Sequence, residues 1–252
     1  MENSSSLSAL SLVSPIGKTR VIRGDVWLLG DHRVMCGDCR SGDLQVLLDG
    51  CTPDLLLSDP PYGIGWDTDY TRFSGMVDQP LENMGIAVTH SMGALIGDDV
   101  PFDPTPFLGY RDVILWGANH YKHLLPERGS WLVWDKRYRS GAKSFLTDAE
   151  LAWCSRGNAV YIKSITSQGC VWPDGKRLHP TQKPVGLFEW CIDRFKSKPP
   201  RTVLDPYAGV GACLLACERL GRKCYCMEIS PYYCGIMIDR WQKQTGSAAV
   251  LL

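Results

Sequence analysis

The chain lacks any apolar run long enough to cross a membrane, since a span needs about 20 consecutive apolar residues. It also lacks net charge: its 252 residues carry 27 Lys and Arg against 27 Asp and Glu. Zero formal charge excludes a global basic field, so a polyanionic partner would have to be held by local patches. No internal repeat is present, which sets aside solenoids and propellers. A complete phosphate loop is missing too. Gly17-Lys18-Thr19 looks like the end of one, but Leu12 stands where its upstream glycine is required.

Cysteine is the residue in excess, at 11. The spacings are irregular, and Met1–Ser14 has no early Lys or Arg and no sustained apolar core of the export-signal kind. Reduced thiols in a cytoplasm are therefore expected. Cys36-x-x-Cys39 and Cys224-x-Cys226 raise the question of zinc. The second pair alternates along an expected strand, so both thiols face one side as core residues do, and the first straddles Gly37-Asp38 at a strand end. Packed thiols and no metal are the expectation.

Residues 1–18 read as a flexible leader and 19–252 as one domain, large enough to bury most of its apolar surface. From Val26 onward, short apolar runs alternate with helix-like stretches. Strands are expected at 33–36, 54–58, 112–116, 131–134, 158–162, 202–204 and 223–227, with helices over 184–196 and from Ala212. Seven strands in this rhythm suit an α/β, doubly wound, mostly parallel sheet that binds ligands at the carboxyl ends of its strands. Residues 66–111 break the rhythm. From Trp66 to Asp112 there are eight acids against Arg72 and Arg111. We expect an acidic excursion with one helix near 81–96, acting as a lid, a partner surface or a solvated loop.

Two of the expected strands end in chemistry. After the apolar run Leu55-Leu56-Leu57 comes Asp59-Pro60-Pro61-Tyr62. It offers a carboxylate, two prolines that stiffen the turn and supply no N–H, and an aromatic ring. Asp59 and the Pro60 carbonyl can accept from the exocyclic amino group of a planar base, while Tyr62 stacks on the ring. The second strand runs into Asp205-Pro206-Tyr207-Ala208-Gly209-Val210-Gly211, where Gly209 and Gly211 allow close approach of a ligand before a helix. Glu228, 17 residues beyond Gly211, ends the next expected strand and can take both ribose hydroxyls. Leu214 fills the third glycine position of the dinucleotide fingerprint, so the loop alone leaves a nicotinamide cofactor open.

These two motifs, with His179-Pro180-Thr181-Gln182-Lys183-Pro184, resemble those of the amino-group DNA methyltransferases that use S-adenosylmethionine. Their order, catalytic motif first and cofactor loop last, is similar to that of a permuted subclass, and the likeness covers roughly residues 20–244. Tyr207 stands where the family usually has Phe. The resemblance implies a Rossmann-like methyltransferase sheet and DNA as substrate with the target base flipped out. S-adenosylmethionine would be bound by Asp38, Asp59, Thr181, Gln182, Lys183, Asp205, Tyr207, Ala208, Gly209, Gly211 and Glu228. Asp59, Pro60, Pro61 and Tyr62 would be catalytic. Asp in first place favours adenine N6, because cytosine-N4 relatives often carry Ser there. Cytosine C5 chemistry would need a Pro-Cys nucleophile, and the chain has no Pro-Cys pair.

Phosphate contacts are expected from Lys136, Arg137, Arg139 and Lys143, and from Lys176 and Arg177. Asn119, His120 and Tyr121 are candidates to line the base pocket. Only about fifteen residues, 164–178, stand where larger relatives carry a target-recognition region. Sequence specificity, a homodimer and the biological purpose, restriction protection among others, stay open. So does a non-catalytic binding module descended from such an enzyme.

Overall fold

Leu55, Leu56 and Leu57 form a strand buried on both faces, and so do Val113–Trp116. A continuous apolar run of this kind belongs in the middle of a parallel sheet with a layer on either side. The protein is described here by a computed structural model covering residues 18–65, 95–137, 147–166, 174, 178–195 and 199–252.

The strands are β1 (Val26–Leu29), β2 (His32–Cys36), β3 (Leu55–Ser58), β4 (Val113–Trp116), β5 (Ser130–Asp135), β6 (Ala149–Cys154), β7 (Val160–Ser164), β8 (Thr202–Asp205), β9 (Lys223–Glu228) and β10 (Val250–Leu251). The helices are α1 (Asp43–Leu48), α2 (Val185–Asp193), α3 (Ala212–Arg219) and α4 (Pro231–Thr245). All strands join one sheet in the order β10-β1-β2-β9-β8-β3-β4-β6-β5-β7. The expected seven strands are present, and β1, β6 and β10 extend them to ten. The sheet is mixed, with parallel pairing in its middle: β2-β9-β8-β3-β4 is a parallel block, and β5 with β7 is parallel too. Antiparallel pairs flank the block, β1 with β2 and β10 on one side and β6 with β4 and β5 on the other.

Side-chain alternation splits the core between two faces. Leu55, Leu57, Ile114, Trp116, Cys224 and Cys226 meet α2, α3 and α4. Leu56, Val113, Leu115, Leu204 and Met227 meet α1 and the segment carrying Phe102, Phe107 and Tyr121. Two covered faces are what doubly wound means here. The unit β8-α3-β9 inserts the late chain between β2 and β3, which brings the two motif-bearing strands side by side.

The leader up to residue 17, residues 66–94 of the acidic excursion with its expected helix, and Arg139, Lys143, Lys176 and Arg177 lie outside the described residues. The described end of the excursion is partly interior. Phe102 and Phe107 are buried, and Asp98 is 4% exposed. Among the described residues no helix is long and apolar enough to cross a membrane.

Candidate active site

β3 and β8 run parallel in register, Leu55 beside Val203 and Leu56 beside Leu204, so both motifs emerge at the carboxyl ends of neighbouring central strands. Ser58 Oγ donates to Asp205 Oδ1 at 2.6 Å, and the Tyr207 N–H donates to the same oxygen at 3.2 Å. Burial pushes the Asp205 carboxyl up to about 7.

After Asp205 the chain turns through Gly209 (φ 54°) and Gly211 (φ 79°), and Gly211 caps α3. A Cβ on Gly211 would stand 2.6 Å from Met237 Cγ, so glycine is required there by backbone and by space. At Gly209 a Cβ would meet nothing within 4 Å, so the loop is open on the side where a ligand would lie. The Ala208 N–H donates to the Met227 carbonyl at 2.9 Å, fastening the loop to β9. Glu228, at the end of β9, accepts from the Gly209 N–H and the Ser230 N–H, each at 2.8 Å. It is 8% exposed, and burial raises its carboxyl to about 6.

The Tyr207 ring packs edge-on against Phe102 and Phe107, beneath the loop. Asp38 follows β2 but turns its carboxylate to Arg40, accepting from Nε and Nη2 at 3.0 Å each. That pairing, with the Arg40 backbone, holds its carboxyl below the usual value.

The Asp59–Tyr62 turn holds a network whose members come from four separate stretches of chain. Tyr62 Oη donates to Asp59 Oδ1 at 2.6 Å, and Lys183 Nζ lies 2.5 Å from Asp59 Oδ2. The same ammonium lies 3.0 Å from Tyr62 Oη and 2.8 Å from Glu150 Oε2, on β6. Lys136 pairs with the other Glu150 oxygen. Lys183 is 3% exposed in its side chain, so two carboxylates and two ammoniums neutralise one another in a poorly solvated site. Burial raises the Asp59 carboxyl, with Lys183 opposing. Burial would raise Glu150 too, but Lys183 and Lys136 hold it down to about 2.

Tyr62 stacks on His120 with ring centroids 5.0 Å apart, over Gly117, whose missing Cβ would collide with the Tyr62 ring. In this structure, then, the hydroxyl of Tyr62 points inward and one ring face is covered by His120. Asp98 accepts from the Gly63 and Ile64 N–H groups at 2.8 and 3.3 Å, so the acidic excursion braces the motif turn.

The His-Pro segment is brought to the same place. Gln182 is 6% exposed and accepts from the Leu178 N–H at 2.8 Å, while Thr181 donates to His179 Nδ1. Of the expected phosphate contacts, Lys136 is turned inward to Glu150 and lies over the Trp134 ring at 5.0 Å. Arg137 stays 56% exposed in its side chain and pairs with Asp135. His120 and Asn119 are exposed near the motif, whereas Tyr121 is a core residue whose hydroxyl donates to the Trp116 carbonyl.

Sequence reasoning missed Glu150 and Asp98 as site residues. The one signal for Glu150 is an acid inside the otherwise apolar stretch Ala149–Cys154. Asp98 carried none, being one acid among many.

The chain is 28% identical over 204 residues to YubD of Escherichia coli (strain K12), named as a methylase, covering 80% of this chain and 86% of that one. Among solved structures it is similar to TTHA0409 of Thermus thermophilus, named as a DNA modification methylase and complexed with S-adenosyl-L-methionine. The identity is 18% and the TM-score 0.46, over 86% of this chain and 96% of that chain. It is also similar to the PvuII DNA methyltransferase, cytosine-N4-specific, at 13% identity and TM-score 0.44, over 88% and 89%. Residues 109–239 match the DNA methylase family directly. With the Asp-Pro-Pro-Tyr turn and the glycine loop meeting at the carboxyl ends of two central strands, the chain belongs to that family, the amino-directed (N6 and N4) DNA methylases.

Proposed function

We propose that the chain transfers a methyl group from S-adenosylmethionine to the exocyclic N6 of adenine in DNA. The carrying observation is the contact between the two motifs: Asp59 follows Ser58, whose hydroxyl binds Asp205 at the head of the glycine loop. The residues present suit the cofactor. The glycine loop is open above Gly209, and the buried Glu228 carboxylate stands at the end of β9 as an acceptor for ribose hydroxyls. When bound, the cofactor supplies an electrophilic methyl on a sulfonium.

Every other requirement falls to this chain. The amino group is a poor nucleophile because its lone pair is delocalised into the ring. Acceptors at Asp59 and the Pro60 carbonyl orient its hydrogens and favour a pyramidal nitrogen, with the lone pair aimed at the methyl group. Such orientation can lower the barrier by about 7–11 kcal/mol. Both Asp59 oxygens are engaged here, by Tyr62 and Lys183. The incoming amino group therefore has to displace one of them, and Glu150 keeps Lys183 charge-paired when it lets go. Tyr62 must likewise leave His120 to stack on a base with that face. Because duplex DNA buries the attack trajectory, the base is flipped out, at a cost of a few kcal/mol.

Asp59 as the acceptor, rather than Ser, supports adenine over cytosine N4. The test is to incubate the protein with S-adenosylmethionine and unmethylated DNA, then identify modified nucleosides by mass spectrometry, with Asp59→Ala beside it. N6-methyladenine that disappears in the variant supports the reading. N4-methylcytosine would transfer the same mechanism to the other base. No methylated base, despite proven cofactor binding, would overturn it.

A further inference from the structure

Four cysteines converge under the cofactor loop. Cys213 and Cys217 are one turn apart on α3 and so share a face; Cys224 and Cys226 alternate on β9 and share the face that meets α3. The sulfurs of Cys213, Cys217 and Cys224 all lie within 4.8 Å of one another. Cys226 Sγ stands 3.3 Å from Cys224 Sγ. Each of the four residues is fully buried, at 0% exposure, and each is a free thiol. The strand pair alone reads as ordinary core. What changes the reading is the helical pair, which closes the cluster from a second element.

We propose that Cys213, Cys217 and Cys224 form the core of a structural site for a thiophilic metal ion of the zinc class, with Cys226, outside that cluster but beside Cys224, turning in as fourth donor. Tetrahedral zinc with sulfur at about 2.3 Å needs sulfurs about 3.8 Å apart, within small side-chain adjustments of the spacing of Cys213, Cys217 and Cys224. The donors are all sulfur, the set that selects such ions over hard cations. Binding forms metal–sulfur bonds, releases the thiol protons to solvent and changes no oxidation state. Around the cluster, His32 Nδ1 accepts the Cys224 N–H at 3.0 Å, and His32 Nε2 lies 2.8 Å from Glu218 Oε2 on α3. The ion would tie α3 to β9. Those two elements carry Gly211 at the head of one and Glu228 at the end of the other, so the clamp would fix the cofactor loop from below.

Because none of these four thiols is exposed, metal enters as the chain folds. The experiment is elemental analysis of the untagged protein, as isolated and after refolding with Zn2+ or Co2+. We expect about one ion per chain, retained through gel filtration. The Co2+ form should show the sulfur-to-cobalt charge-transfer absorption of a thiolate site. Cys217→Ser and Cys224→Ser should lose most of the metal; Cys226→Ala, the milder change, should lower retention against a chelator. Should the first two fail to fold, the Co2+ spectrum of the unaltered chain decides alone. Folded protein without metal in either preparation, a Co2+ spectrum without thiolate absorption, or full metal retention in folded Cys217→Ser would overturn the proposal. None of these readouts involves DNA or S-adenosylmethionine, so the result is independent of the methylation assay.

Discussion

Asp59, Lys183 and Glu150 act as a unit, because two half-buried carboxylates share one buried ammonium. Asp59→Ala should lower methylation by at least ~10²-fold, the scale of losing one oriented polar group at a reacting centre. Cofactor binding, followed by calorimetry, should fall far less than methylation, since Gly209, Gly211 and Glu228 are untouched. Lys183→Met should instead damage the fold. Removing one partner from a buried charge pair costs about 3–5 kcal/mol, read as a lower urea midpoint. Glu150→Gln removes one acid and keeps the shape, so its stability loss should be the smaller.

Glu228 gives a pH-dependent expectation. Its folded pKa is raised by burial to about 6, so the unliganded fold is favoured by protonation and loses that contribution as pH rises through about 6. A ribose donating hydroxyl protons needs the ionised form. S-adenosylmethionine affinity should therefore rise with pH up to about 6 and level off above it, and Glu228→Gln should flatten the profile. Calorimetry at several pH values checks this, and an unchanged slope in the variant would remove Glu228 from ribose binding. Glu150 runs the other way. Held down to about 2, it contributes stability above the ordinary glutamate range that is lost as pH falls toward about 2.

At the scale of elements, the loop between β8 and α3 is the most constrained. Gly211→Ala places a Cβ against Met237 in a left-handed conformation. Such strained positions cost about 1–3 kcal/mol. The denaturation midpoint should drop accordingly, and cofactor affinity should fall with it because the loop shifts. Strand β6 teaches a different lesson. Ala149–Cys154 reads Ala-Glu-Leu-Ala-Trp-Cys, with no β-branched residue, so local propensity does not announce a strand. It is one because β4 and β5 both offer it ladder partners. That pairing alone carries Glu150 to Lys183.

For the whole molecule, zero net charge means that DNA affinity rests on local groups. Of the six expected phosphate contacts, Lys136 faces inward and Arg137 is the exposed cation within the described residues. Arg137→Ala should weaken DNA binding evenly across sequences and reduce the salt slope by about one. Ligand linkage gives a global check on the cofactor. S-adenosylmethionine at about 100 times its Kd should stabilise the fold by ~2.7 kcal/mol, seen as a raised Tm, and NAD should not. Stabilisation by NAD alone would reopen the nicotinamide reading.

Both motif strands, the glycine loop and Glu228 were legible in the sequence because their signals are local. Apolar runs, turn residues and an acid at a fixed distance lie within a few tens of residues of one another. The family followed from the same stretches, since motif order survives without any contact being known. The rest depended on separations that no window of sequence spans. Lys183 meets Asp59 across 124 positions, Asp98 holds the turn after Tyr62, and Glu150 arrives on a strand made by its neighbours. The sheet's mixed edges were equally hidden, because an edge strand is defined by what it pairs with. Burial decided the remainder. A lysine that would be solvated in an isolated peptide becomes, once enclosed, the counter-ion of Asp59.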